Sequence, residues 1–276
     1  MRTLRLLSLT TLVSVSLLAS PKLSRGADPG QTMMLTQPAI SASRIAFIYA
    51  GDLFVSDLNG ANVQRLTADD GIESNPAFSP DGQTIAFSAQ YDGNVDVYTV
   101  PTSGGAPTRL TYHPNADVVQ AITPDGKAVL FTSQRATFTG RYTQLFTIPM
   151  GGGMEEALPI PNAARASYSP DGSRIAYNPI AGRYLQWKSY RGGTASVLWL
   201  YSTQGHATET IPQPATRAND TDPMWIGDTV YFRSDRTGEF NIFAFNTKTK
   251  QIRQLTKHDD FPVLNAASGG GKIVYE

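Results

Sequence analysis

The sequence predicts an all-β fold, a six-bladed β-propeller with Pro-Asp-Gly repeats and an incomplete last blade. A Ser/Thr-Pro-Asp-Gly turn occurs three times, and its prolines, Pro80, Pro124 and Pro170, are 44 and 46 residues apart. Each turn is followed by short alternating runs rich in Val, Ile, Phe and Tyr, the pattern of β-strands. No segment after residue 27 has sustained helical periodicity. Four short strands in about 40–45 residues make one propeller blade.

The first 27 residues are interpreted as a signal peptide. Arg2 and Arg5 precede the uncharged run from Leu6 to Leu18, which is too short to span about 30 Å of hydrocarbon comfortably. The alternative is a retained N-terminal helix. Removal of residues 1–27 takes away four basic residues and no acidic one, which leaves 19 basic and 23 acidic residues. We therefore expect an exported bacterial protein, periplasmic or extracellular, with no membrane span after leader removal.

The repeated turn has a physical basis in its residues. Proline fixes φ near about −65°, and Asp-Gly supplies the residues that a tight hairpin needs. A single four-stranded sheet cannot bury both of its faces, whereas sheets stacked around an axis bury one another. We expect blades at about residues 37–68, 74–111, 118–158, 166–211, 222–256 and 263–276.

The sixth blade is expected to be truncated. The run Lys272–Tyr275 resembles the second strand of a blade, and the sequence ends at Glu276. By the spacing of the first blade, roughly 20 further residues are needed to complete the sheet. We therefore expect this chain to be a fragment of a longer protein. An open β-sandwich is the alternative architecture, but it does not require a turn that recurs at a nearly constant spacing.

The sequence carries no recognisable catalytic motif. It has no Cys, which excludes a thiol nucleophile and thiolate metal sites, and neither Gly-x-Ser-x-Gly nor His-Glu-x-x-His occurs. The histidines, His113, His206 and His258, are isolated in the sequence. The 23 basic and 23 acidic residues give no basic excess for nucleic acid. We predict no catalytic residue, no metal, no cofactor and no nucleic-acid partner for this chain.

One segment within a long insertion of the fourth blade departs from the repeat. It reads Trp187-Lys188-Ser189-Tyr190-Arg191-Gly192-Gly193-Thr194. Two aromatic and two cationic side chains within five residues allow cation–π stacking. Trp187, Lys188, Tyr190 and Arg191 are therefore candidates for contact with a substrate or with another domain. The alternative is a structural insertion whose rings cover a neighbouring blade.

These segments resemble a known family. Trp187–Gly193, together with Gly51–Phe54 and Arg109–Pro114, is similar to segments of the N-terminal six-bladed propeller of tricorn-type serine proteases. The likeness runs from about Pro38 to the end of the sequence. It implies a non-catalytic propeller that gates or positions peptide substrates for a serine active site in later domains of the full-length chain. No position here matches the catalytic motifs of those domains.

Two other classes of propeller remain open. One is the free-standing periplasmic protein-binding propeller of the Tol-associated type, which shares the repeats but has an additional N-terminal domain before its first blade. The other is the propeller enzyme with a central metal, such as a lactonase, which needs carboxylate and amide ligands that converge on the axis. The coding sequence beyond codon 276 would separate the first class from a peptidase propeller.

Overall fold

A computed structural model of the chain describes residues 34–276. These residues form an all-β structure of 22 strands with one short 3₁₀ helix, η1 (Arg183–Leu185). The predicted signal peptide, residues 1–27, lies outside the described residues. Within residues 34–276, no helix has the length and apolar character needed to cross a membrane.

The strands form five antiparallel sheets of four strands and one of two, and in each sheet they lie side by side in chain order. The strands of the first three sheets are β1 (Leu35–Ile40), β2 (Arg44–Tyr49), β3 (Asp52–Asp57) and β4 (Gln64–Arg65); β5 (Glu73–Phe78), β6 (Thr84–Ala89), β7 (Asp96–Pro101) and β8 (Thr108–Arg109); and β9 (Asp117–Ile122), β10 (Ala128–Ser133), β11 (Gln144–Pro149) and β12 (Glu156–Ala157). The strands of the last three sheets are β13 (Arg165–Tyr168), β14 (Arg174–Asn178), β15 (Trp199–Ser202) and β16 (Thr208–Thr210); β17 (Asp220–Ile226), β18 (Thr229–Ser234), β19 (Asn241–Asn246) and β20 (Ile252–Gln254); and β21 (Ala266–Gly269) and β22 (Lys272–Tyr275).

The first strands of the six sheets form a ring. Each contacts the first strand of the next sheet, and β21 contacts both β17 and β1. Glu276 strengthens this closure, since its side chain accepts hydrogen bonds from the Thr36 hydroxyl at 3.2 Å and from the backbone N–H of Gln37 at 3.0 Å. The fold is therefore a β-propeller, as the sequence predicts.

The predicted count of six blades is not matched, because residues 34–276 contain five blades. The residues after β20 form only β21 and β22, so the sixth sheet lacks the third and fourth strands that make up a blade. In this part of the chain, β22 is paired on one side only, with β21.

The Pro-Asp-Gly segments join the first and second strands of the second, third and fourth sheets. In each turn, the hydroxyl that precedes Pro donates to the Asp side chain, at 2.5 Å for Ser79–Asp81 and 2.6 Å for Ser169–Asp171. The turn glycines adopt φ between 70° and 72°, a conformation that favours glycine. Hydrogen bonds from the Ser169 hydroxyl and from Ser173 lower the pKa of Asp171 to about 2. The residues of this turn therefore serve to stabilise the hairpin locally.

The core lies between neighbouring sheets. An aromatic pair on the second and third strands faces the preceding blade, as when Phe131 and Phe146, 5.6 Å apart, pack with Ala86 and Val97 of the second blade. The pairs Phe87–Tyr98 and Phe232–Phe243 are buried in the same way. Each blade therefore depends on its neighbours for burial of its aromatic face.

In three blades, the residue that begins the first strand carries a buried carboxyl group. Asp220 is fully buried and pairs with Arg236 at 2.8 Å, and Asp117 pairs in the same way with Arg135. In the second blade the equivalent acid, Glu73, accepts a hydrogen bond from the Tyr91 hydroxyl at 2.6 Å and has no cationic partner among the described residues. Burial raises the pKa of Glu73, and its Oε2 lacks a hydrogen-bond partner in residues 34–276.

Candidate functional site: a central channel and a loop insertion

A cavity of about 610 Å³ lies at the centre of the ring of first strands. Residues from β1, β5, β9, β13, β17 and β21 line it, so all six sheets contribute one wall. Its side chains include the amides Gln37, Asn75, Gln120 and Asn265. These groups are neutral donors and acceptors, which are suited to a polar or polypeptide ligand.

A repeated backbone distortion shapes this lining. Gln37, Asn75 and Asp222 have φ of 49°, 53° and 50°, and each precedes a proline. The strand register shifts at each of these positions, so each is a β-bulge. A bulge redirects a side chain and interrupts the ladder. The side-chain oxygen of Gln37 accepts a hydrogen bond from the backbone N–H of Asn75 at 2.7 Å.

Charge in the channel lining is concentrated at one place. Arg165 lies 3.3 Å from the Asp222 carboxylate, which also accepts a hydrogen bond from Arg233 at 2.6 Å. Arg233 is buried and donates a further hydrogen bond to the Val263 carbonyl at 2.7 Å. Arg165 is the more exposed of the two guanidinium groups and is the one that lines the cavity. It can therefore donate hydrogen bonds to a carbonyl or carboxylate in the channel.

The insertion between β14 and β15, residues 179–198, packs against the fifth blade. The Tyr184 ring contacts the Phe240 ring with a centroid separation of 4.8 Å. Burial raises the pKa of Tyr184, and the charge of Asp222 raises it further. Tyr184 thus lies close to the charged part of the channel lining and connects the insertion to it.

The four residues singled out in the sequence occupy different environments. Arg191 pairs with the buried Asp235 at 2.6 Å, and Lys188 pairs with Glu239 at 2.5 Å. Trp187 and Tyr190 lie side by side with ring centroids 6.2 Å apart. Trp187 remains 59% exposed. The cations therefore hold the insertion on the fifth blade, and the indole ring of Trp187 is free for contact.

Sequence reasoning missed two members of this region. Leu185, two residues before Trp187, is 77% exposed, and Tyr184 makes the contact with Phe240. Neither belongs to the Trp-Lys-x-Tyr-Arg-Gly-Gly segment, and an isolated Tyr-Leu pair has no distinguishing signal. The prolines that follow Gln37, Asn75 and Asp222 are a signal that could have located the channel wall.

Residues 34–276 contain no group of three or more His, Asp or Glu side chains arranged to hold a metal ion. The three histidines lie apart, and the Asn75, Asn265 and Asp222 side chains approach the axis without a second carboxylate beside them.

The fold and the site together give the class of this protein. It is a β-propeller with a polar channel along its axis and an insertion that packs from the fourth blade onto the fifth. The family model described as the tricorn protease N-terminal beta propeller domain matches residues 32–276. The chain belongs to this family. It is 28% identical over 252 residues to tricorn protease homolog 1 of Streptomyces coelicolor, covering 88% of this chain and 23% of that relative.

Solved structures show the same fold. The crystal structure of the tricorn protease superposes with a TM-score of 0.75 at 24% identity and covers 88% of this chain and 24% of that one. A putative TolB from Agrobacterium tumefaciens superposes with a TM-score of 0.65 at 20% identity, covering 81% of this chain and 80% of the other. The chain therefore spans less than a quarter of the tricorn protease, and the Tol-associated alternative has the weaker support.

Proposed function

We propose that this propeller is a non-catalytic module of a larger tricorn-like serine peptidase. Its role is to gate or position polypeptide substrates for an active site in later domains of the same chain. The family to which the chain belongs supports this role, as does its small share of the length of its relatives. One observation carries the gating role: the channel lining combines neutral amides with one ion pair, Arg165–Asp222, whose arginine is accessible, and such a lining suits an extended peptide.

Gating is tested by a substitution that narrows the channel in the full-length protein. Gln120 lines the cavity, so Gln120→Trp places a large ring there, whereas Met154→Trp adds the same ring at an outer position that is 82% exposed. We expect Gln120→Trp to slow cleavage of long peptides at least about tenfold relative to short ones, with no change in labelling of the serine by a fluorophosphonate. Equal effects of the two variants, or unchanged length preference, would contradict gating.

We propose that the tip of the insertion contacts substrate or a later domain of the full-length protein. Trp187 supplies the contact surface, while Lys188, Tyr190 and Arg191 hold the loop in place. In the full-length protein, Trp187→Ala should change the cleavage of long peptides or loosen the attachment of the propeller, as measured by limited proteolysis. Lys248→Ala, an exposed ion-pair change on the fifth blade, is the matched control.

We propose that the propeller ring has six blades and that β21 and β22 are the inner half of the sixth. The contacts of β21 with both β17 and β1 support this assignment. In the full-length protein, the amides of Ile273 and Val274 should exchange hydrogen as slowly as those of Ile85 and Ala86, their equivalents in the second blade. Fast exchange at the first pair alone would contradict a complete sixth blade.

We propose that the protein is exported and that residues 1–27 are its signal peptide. The basic residues and apolar run at the N-terminus support this. N-terminal sequencing of the mature protein from an expressing bacterium should find a start within residues 20–28. A mature protein that retains Arg2 and Arg5 in the cytosol would contradict export.

A further inference from the structure

A second cavity, of about 290 Å³, lies between the insertion and the loop that connects β16 to β17. Gly193, Ala195 and Val197 line it from the insertion, and Gln213 and Arg217 line it from the loop. None of these residues lines the axial channel, so this side cavity is distinct from it. Its walls combine two apolar side chains with an amide and a guanidinium group.

Arg217 is the cation of the side cavity. It is exposed and has φ of 56°, a left-handed conformation that a residue other than glycine adopts at a cost. Within residues 34–276, its guanidinium donates to the Gly192 carbonyl at 3.0 Å and forms no ion pair, whereas Arg191 in the insertion pairs with Asp235. A guanidinium group has five N–H donors, so Arg217 retains donors for a ligand.

A second cation and two hydroxyl groups lie near Arg217. Thr194, between two residues that line the side cavity, donates a hydrogen bond from its hydroxyl to the Tyr190 hydroxyl at 3.0 Å. This hydrogen bond lowers the pKa of Tyr190, and the charges of Arg183 and Arg217 lower it further, so both guanidinium groups lie near the Tyr190 hydroxyl. Because Thr194 donates to Tyr190, the Tyr190 proton is left to donate to another acceptor.

The position of the Tyr190 hydroxyl depends on Gly192. A Cβ atom at residue 192 would lie 2.2 Å from the Tyr190 hydroxyl oxygen, which is closer than non-bonded atoms can approach. The absence of a side chain at Gly192 therefore lets the Tyr190 ring fold back over the loop. The sequence Tyr-Arg-Gly-Gly-Thr thus brings the Tyr190 and Thr194 hydroxyls together beside the side cavity.

The charges around the side cavity favour an anionic ligand. Arg183, like Arg217, forms no ion pair within residues 34–276. Two nearby cations repel each other, and an anion between them turns this repulsion into attraction. Arginine is suited to carboxylates because its planar guanidinium binds them through two parallel hydrogen bonds. The apolar Ala195 and Val197 walls suit the methylene groups of a side chain, which a bare inorganic anion lacks.

We propose that the side cavity binds an acidic side chain, Glu or Asp, of a polypeptide. Arg217 and Arg183 pair with its carboxylate, the Tyr190 hydroxyl donates a hydrogen bond to it, and Ala195 and Val197 contact its methylene groups. The inference rests on the proposed handling of polypeptides by this propeller. It gives the propeller a preference for acidic segments that does not depend on the axial channel.

The first test compares two labelled peptides that differ in one side-chain charge, acetyl-Ala-Ala-Glu-Ala-Ala-amide and its Gln counterpart. Fluorescence anisotropy with the full chain should show that the Glu peptide binds at least about tenfold more tightly, and added salt should reduce this difference. Equal affinities overturn the inference. So does a Gln peptide with a free terminal carboxylate that binds as tightly as the Glu peptide, or inorganic phosphate that competes with equal affinity.

The second test assigns the preference to the two arginines. Arg217→Gln and Arg183→Gln should each reduce the Glu-over-Gln preference at least about threefold, and the double variant should abolish it. Arg253→Gln is the matched control, because Arg253 is also exposed but lies on β20, the outer strand of the fifth blade. An unchanged melting temperature would show that the double variant is folded. A folded double variant that keeps the preference overturns the inference.

These measurements use the chain without any peptidase domain, so they are independent of the gating test. Gln120→Trp should leave the Glu-over-Gln preference unchanged, because Gln120 lines the axial channel and not the side cavity. Loss of the acidic preference therefore leaves gating standing, and a failed gating test leaves the acidic site standing.

Discussion

Replacement of Phe131 by alanine should destabilise the chain far more than replacement of Phe47, although the two occupy the same register. Phe131 is fully buried and stacks on Phe146, whereas Phe47 stacks on Phe54 and remains partly exposed. Truncation of a buried Phe costs about 3–5 kcal/mol through lost transfer free energy and the cavity left behind. The exposed part of the Phe47 ring loses little on truncation, so we expect a cost of about 1–2 kcal/mol there.

The two costs are measured by urea unfolding of the full chain, followed by tryptophan fluorescence and circular dichroism. Coincident transitions are required before free energies of unfolding are compared. A difference of about 2 kcal/mol corresponds to a difference of about 4–8 °C in melting temperature for a domain of this size. Equal costs, to within about 0.5 kcal/mol, would refute the reasoning that the sixth sheet leaves the first blade uncovered.

Three further perturbations test the polar contacts. Arg236→Ala should destabilise the chain by about 3–5 kcal/mol at neutral pH, because it leaves Asp220 buried without its cation; urea unfolding should show a smaller loss at low pH, and a pH-independent loss would contradict this. The raised pKa of Glu73 means that the folded state binds its proton more tightly, so the contribution of this group to stability is fully present below the ordinary glutamate pKa and is lost as pH rises through the raised one. Glu73→Gln should remove this fall, and a variant with the wild-type pH profile of unfolding would show that another group causes it. Tyr184→Ala should speed hydrogen exchange in residues 180–195 by releasing the insertion from Phe240, whereas Tyr184→Phe should not; equal rates in both variants would contradict the ring contact.

The sequence predicts the sheets well because their signals are local. The Pro-Asp-Gly turns join strands whose alternation survives in the structure, as in Val129–Phe131 packing against the second blade. The blade count is predicted less well than the sheets, because a repeat can be recognised from its first two strands alone. Lys272–Tyr275 has the sequence of a second strand, but a blade also needs the third and fourth strands.

The candidate site was only partly predictable. The Trp187–Arg191 segment is conspicuous by composition, yet its cations pair with Asp235 and Glu239, which lie more than 40 residues away in the chain. Pairing between distant residues depends on the stacking order of the blades and leaves no local pattern. The channel wall does have a local sequence pattern, since Gln37 and Asn75 each precede a proline at the bulge of a first strand.

The most direct test of the peptidase assignment is the size and reactivity of the native protein. Antibodies against residues 34–276 would recover it from cells that express it, for intact-mass measurement and labelling with a fluorophosphonate probe. The 276 residues account for 29.8 kDa, and they cover 23% of a tricorn protease homologue. We predict a polypeptide about four times as large that carries a reactive serine. A protein of about 30 kDa that does not react with the probe would contradict a peptidase module and favour a free-standing binding propeller.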